Sequence, residues 1–239
     1  MKIFVKKGNL AEAKSQAIIL TLFEDQKKLT GTILQIDQKC NGLISELIKK
    51  RDFEGKLSQI SVIYTKDHLH AKRITLVGLG KSTEVDLDKI RGAFAKVMQH
   101  LRSLNIKKAS TFIDWKMLSE TKEKITQAVV EGTMLGLYQY NTYKTVGRED
   151  LKEMEQLNII CEGKDFNQIE KEVKKTQIIT DAVYFARDLV SAPSNEMTPS
   201  IMAEKAQQLG KRKNLVCKVL DKKKDERTGD EFLAWCSFR

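Results

Sequence analysis

Residues 73–81 read RITLVGLGK, and residues 86–101 read DLDKIRGAFAKVMQHL. The first run is short, rich in β-branched residues and closed by Gly78-Leu79-Gly80, which predicts a strand entering a tight turn. In the second, Ile90, Phe94, Val97 and Leu101 recur at helical spacing behind Asp86, a residue suited to an N-cap. A strand, a short glycine turn and a capped amphipathic helix make the unit from which α/β sheets are built.

The same alternation extends in both directions. Lys2–Val5, Ala17–Phe23 (AIILTLF), Ser61–Thr65, Ala109–Ile113 and Leu157–Cys161 are predicted strands. Ile33, Ile36, Cys40, Leu43 and Leu47 predict one amphipathic helix over Thr32–Lys50. Ser119 with Lys122-Glu123 opens a second helix through Met134 and Tyr138, and a third runs from Phe166 to Leu189. The order β-β-α-β-β-α-β-α-β-α predicts a three-layer α/β domain, a mainly parallel mixed sheet flanked by helices. Ser191-Ala192-Pro193-Ser194-Asn195 then concentrates turn residues, and Thr198-Pro199 begins a new helix, Ser200–Leu209, ahead of a strand at Leu215–Leu220. The expected division is 1–165 as the first α/β domain, 166–192 as a linker helix, 193–225 as the start of a second α/β domain, and 226–239 as an aberrant tail.

Composition narrows the class. Of 239 residues, 41% are hydrophobic and 31% charged, with two prolines and 13 glycines, the profile of a folded globular chain. The Met1 end (MKIFVKKG) holds no apolar run fit for a signal peptide, and no stretch reaches the roughly 20 apolar residues of a membrane span. A cytoplasmic, soluble protein without a membrane partner is expected. Cys40, Cys161, Cys217 and Cys236 are far apart and read as free thiols. His68 and His70 could share one side of a strand, but no acid or cysteine is arranged around them, so a solvated loop is expected. The net charge of +10 raises nucleic acid as an alternative partner. Half of that charge falls in Lys211–Arg227, where eight basic residues face three acidic ones for a net of +5, which favours a solvated basic loop.

Several local patterns have competing readings. Gly78-x-Gly80-Lys81 could cradle a phosphate, but it lacks the spacing of a P-loop or a dinucleotide fingerprint and reads better as a tight turn. Glu170–Lys175 (EKEVKK) reads as a solvated helix face, and Trp115 beside Asp114 as a packing anchor. No Ser-His-Asp order, HExxH or GxSxG stands in the chain.

Three stretches say more together. The predicted helix Glu131–Lys144 (EGTMLGLYQYNTYK) resembles the "EGxxLxxYxFxxYK" helix of leucyl aminopeptidases, also called cytosol aminopeptidases. Ala186–Pro199 (ARDLVSAPSNEMTP) resembles that family's interdomain segment "ARDLVNxPxNxxTP", and Ile74–Gly80 resembles its "VGLG" strand-turn. All three follow the family's order. The resemblance implies an N-terminal α/β domain joined by a helix to a catalytic domain. That catalytic domain would hold two divalent ions, zinc or manganese, through motifs resembling "GKGITFDSGG" and "NTDAEGRL", and would release N-terminal residues from peptides. Hexamers, and DNA binding by some members, are further implications. Neither metal motif occurs here, so no catalytic, cofactor-binding or metal residue carries over, and a chain inactive by itself is expected. The alternative is a stand-alone binding or regulatory module acting through its basic surface.

The family continues after the position of Leu220 with a segment resembling "LGMGALLAVAQGS", which Glu226–Arg239 does not match. One permitted codon assignment for Arg227–Arg239, read one base later, spells ELGMSSLLGVASG. A frameshift near Asp225–Arg227 is therefore expected; the competing reading is a natural, divergent tail.

Overall fold

The computed structural model describes residues 1–26, 28–115, 120–161, 163, 165–213 and 216–219. They form two compact units, Met1–Tyr184 and Phe185–Arg239. In the first, six strands order as β1-β6-β5-β2-β4-β3. These are β1 (Lys2–Lys7), β2 (Ala17–Leu22), β3 (Ile60–Tyr64), β4 (Arg73–Gly78), β5 (Lys108–Phe112) and β6 (Gln156–Cys161). All neighbours pair parallel except β3, which runs antiparallel to β4 at the edge. The sheet is thus mixed and mainly parallel, as the alternating pattern predicts.

Strand side chains alternate between two cores, as the two-residue period requires. Ala17 and Ile19 join Val77, Ala109 and Leu157 in a core covered by α3 (Leu87–Ser103), α4 (Lys122–Leu137) and the first part of α5 (Phe166–Ser191). Ile18, Leu20 and Leu22 join Ile74, Leu76 and Ile160 in a second core, covered by α1 (Gly31–Lys39) and α2 (Leu43–Lys49). A strand buried on both faces has no place for polar alternation, which is why AIILTL reads as a continuous apolar run. Each isoleucine, leucine or valine among them contributes roughly 1.5–3 kcal/mol by leaving water.

The predicted helix Thr32–Lys50 is two helices. Asn41 and Gly42 adopt φ of 55° and 79°, a left-handed break between α1 and α2. The buried Asp37 holds that break: its carboxylate accepts from the amides of Ile44 (2.8 Å) and Ser45 (3.2 Å) and from the Ser45 hydroxyl. The apolar spacing runs through the break without a change of phase, so periodicity alone could not reveal it. By contrast, Asp86 caps α3 as expected, its Oδ1 accepting from Lys89 N at 2.7 Å. The cap of α4 is Thr121, and Ser119 lies outside the described residues.

The predicted helix through Lys144 ends at Leu137, with Tyr138 turning extended. Side chains of α3 take up the terminal carbonyls: Gln99 Nε2 donates to Gly136 O (2.8 Å) and Arg102 Nη1 to Leu137 O (3.1 Å). The two helices cross closely because α4 places glycines where they meet. A Cβ on Gly132 would lie 2.8 Å from Arg91 Cα, and one on Gly136 would lie 2.6 Å from Ala95 Cα.

In the second unit, α5 ends at Ser191 and a turn follows, in which Glu196 N and Met197 N both donate to Pro193 O at 2.9 Å. Helix α6 (Pro199–Lys213) begins with proline in its first position, behind Thr198, whose hydroxyl accepts from Ile201 N at 3.4 Å. Of the strand expected at Leu215–Leu220, Val216–Val219 carry no regular structure, and Leu215 and Leu220 lie outside the described residues, as does 226–239.

Two outcomes follow from this packing. Gly132→Ala should destabilise the fold by about 1–3 kcal/mol through the α3 backbone clash, despite alanine's better helix propensity. Gly92→Ala, on α3 but facing open space, should stabilise by about 0.5–1 kcal/mol. Urea midpoints of the two variants should move in opposite directions. Asp37→Ala should cost about 1–3 kcal/mol in the same measurement, since it leaves the start of α2 unsatisfied in a buried place.

Candidate functional site

The sheet order locates the part of the first unit best placed for ligands. β2 and β5 are parallel neighbours. After β2 the chain enters α1 on one face of the sheet, and after β5 it enters α4 on the other. The crevice beyond their carboxyl ends is a topological switch point, the place where open α/β sheets bind ligands. A cavity of about 790 Å³ lies there. Phe23, Phe112 and Trp115 line it, together with the first turn of α1, Thr30–Ile33. Lys28, Asp114 and Lys122 bring charge to the lining. Lys122 is ion-paired with Asp165.

The Trp115 ring is half-buried against the α3–α4 core, so the expected packing anchor also forms a cavity wall. Nothing in the sequence distinguished the two roles. Phe23, Phe112 and Lys28 drew no attention there either, because only the strand order brings them together across more than 80 residues of chain.

The glycine turn behaves as a turn. The amides of Gly78, Leu79 and Gly80 donate to Gln59 O, Leu22 O and Gly55 O at 2.8, 2.9 and 3.0 Å, so these amides are already committed to carbonyls. Gly78 is needed because the 55–56 backbone presses on it: a Cβ there would lie 2.6 Å from Gly55 C.

His68 and His70 lie exposed in the loop between β3 and β4, with His68 Nε2 3.4 Å from Asn41 Nδ2. Among the described residues no three His, Cys, Asp or Glu side chains group so as to hold a metal ion. Cys40 and Cys161 are buried and Cys217 exposed, none of them in a disulfide; burial, with Asp37 nearby, pushes the Cys40 thiol up. Cys236 lies outside the described residues. In Glu170–Lys175 the expected solvated face holds for Lys171 and Lys174. Glu172 and Val173 instead turn inward, with Lys175 Nζ donating to Glu172 Oε1 at 3.2 Å. No described helix is long and apolar enough to cross a membrane.

The stretch Glu131–Tyr138 is a packing device. Glu131 Oε2 accepts from Arg91 Nε at 2.6 Å and its Oε1 from Gln127 Nε2 at 2.7 Å. The pairing with Glu131 raises the Arg91 guanidinium further above its ordinary range. Tyr184 donates its hydroxyl to Met134 O, and its ring meets Tyr138 edge-on at 5.1 Å. These contacts tie α3, α4 and α5 into one layer and put none of their residues in the cavity.

Comparison with known proteins agrees with this geometry. The profile described as "Cytosol aminopeptidase family, N-terminal domain" matches residues 19–146. The protein described as "Probable cytosol aminopeptidase" from Alkaliphilus oremlandii is 31% identical over 96% of this chain and 46% of its own length. Its counterpart from Geobacter sulfurreducens is 30% identical over 97% of this chain, again 46% of its own length. The chain thus spans about half the length of the curated relatives it matches. Among solved structures, a tomato leucine aminopeptidase variant superposes with a TM-score of 0.73 at 22% identity, covering 89% of this chain and 42% of that one. The bottromycin maturation enzyme BotP gives 0.64 at 18% identity, over 84% and 38%. At such identities these two show a shared fold. With its central 19–146 matched by that domain's profile, the chain belongs to the cytosol aminopeptidase family.

Proposed function

We propose that this chain carries the non-catalytic N-terminal domain of a metal-dependent aminopeptidase and has no peptidase activity by itself. In this reading 1–165 is that domain, 166–192 is the linker helix, 193–225 begins the catalytic domain, and 226–239 is an aberrant tail. The observation that carries it is the match of 19–146 to the family's N-terminal domain. The turn and Pro-initiated helix after Ser191 support the placing of the junction, since a chain passing between domains needs such a break.

Longer relatives, on this reading, act on the N-terminal residues of peptides in the cytoplasm and use two zinc or manganese ions. The described residues offer no donor set for such ions, so no step of that chemistry is assigned to them. The three-layer domain would serve as a scaffold and an assembly surface, hexamers being what the family resemblance implies. Nucleic acid is not favoured as the partner. Several described helix-face lysines are neutralised locally, as in Lys50–Glu46, Lys124–Glu120 and Lys174–Glu170.

The test is an aminopeptidase assay of the purified chain on leucine p-nitroanilide with added manganese or zinc. Hydrolysis should not exceed that of the metal alone. Turnover that survives removal of contaminating peptidases would overturn the reading.

A further inference from the structure

The sheet ends in two free edges, and they differ in chemistry. β1 carries Lys2, Lys6 and Lys7 within its six residues, and charges of this kind keep an edge from pairing with another chain. β3, at the other edge, has no such guard: residues 57–65 read LSQISVIYT, without a charge. At the two ends of its ladder with β4, Thr65 N donates to Lys72 O at 3.1 Å and Gly78 N to Gln59 O at 2.8 Å. Antiparallel bonding alternates along a strand, so Gln59, Ser61, Ile63 and Thr65 face β4, and the amides and carbonyls of Ile60, Val62 and Tyr64 face away from it. Among the described residues none of these outward backbone groups has a hydrogen-bond partner. The side chains of Ile60, Val62 and Tyr64 share one face of the strand. Tyr64 is 60% exposed, yet the guanidinium of Arg73 lies 5.2 Å from its ring centre and holds it at the sheet edge.

We infer that β3 is a self-association edge: two copies of this chain pair their β3 strands antiparallel about a two-fold axis at Val62. The register makes the edge complementary to itself. With Val62 opposite Val62 of the second copy, Ile60 falls opposite Tyr64 at both ends, and outward amides meet outward carbonyls along the pair. The facing side chains are then β-branched against β-branched and aromatic against β-branched, pairs that stabilise a sheet. A pair of β1 strands would instead bring lysines together, and like charges across a pair destabilise it. A contact of five residues a side is smaller than a standard interface, which buries roughly 1,200–2,000 Å², so the dimer is weak and forms as concentration rises. Pairing of β3 with the β1 edge of a next copy would leave a free edge at each end and grow without closing, whereas the two-fold pairing closes at the dimer. The inference concerns an edge of the first unit and does not depend on the chain's peptidase status.

Sedimentation equilibrium of the full chain should show a reversible monomer–dimer step at submillimolar concentration. Val62→Lys sets two like charges against each other at the axis and should weaken the dimer roughly tenfold or more. Val62 belongs to neither core, so the thermal melt of the dilute protein should stay in place. Val62→Glu should do the same alone. An equimolar mixture of the two variants should regain the dimer, because only a two-fold register at this position sets residue 62 against itself. Phe4→Lys, on the β1 edge, should leave the dimer unchanged. A chain that stays monomeric, a dimer undiminished by Val62→Lys, or a mixture of the two variants that does not associate would overturn the inference. So would growth beyond the dimer, the mark of β3 pairing with β1.

Discussion

Strand β2 ties the first unit together. Ala17, Ile18 and Ile19 are wholly buried, and the strand pairs parallel on one side with β4 along its length and on the other with β5. Ile19 faces the α3–α4 core while Ile18 and Leu20 face the α1–α2 core, so both helical layers rest on this one strand. A polar residue in any of these positions would have to be satisfied in a place that water does not reach. The sheet nevertheless buries some polar groups, and two of them are paired. Asn158 Nδ2 donates to Ser110 Oγ at 3.2 Å between adjacent strands, and Gln156 Nε2 donates to Asn158 Oδ1 at 2.6 Å.

The second constraint is the close crossing of α3 and α4. Helices that carry glycine at the crossing can bring their backbones nearer than larger side chains allow, and polar side chains can then reach across. Here Gln99 and Arg102 bind the last carbonyls of α4, while Arg91 pairs with Glu131. The first part of the segment that resembles the family's motif, Glu131–Tyr138, thus has packing roles: a glutamate for the arginine, glycines for the approach, and Tyr138 against Tyr184 of α5.

Much of the organisation was legible from residue patterns. The six strands, the Asp86 cap and the proline start of α6 all appear where spacing and cap chemistry put them, because these depend on neighbours in sequence. The errors have a common cause. The break at Asn41-Gly42, the end of α4 at Leu137 and the inward turn of Glu172 each depend on a hydrogen bond that apolar periodicity does not register. Asp37 is recruited across the break by the α2 amides, the α4 carbonyls by side chains of α3, and Glu172 by Lys175 and Thr176 on a helix whose other face is covered.

By itself the sequence determined the class of fold, the family, and the lack of that family's metal motifs, since alternation, caps and motif spelling are properties of the linear chain. The tertiary structure alone decided the strand order, with β2 placed between β4 and β5 although β3, α1 and α2 intervene in the chain. From that order came the switch point, and with it the meeting of Phe23, Lys28, Phe112 and Trp115 around one cavity. Such a meeting is set by long-range backbone pairing and by which face each helix covers, and neither quantity is encoded in any single window of residues.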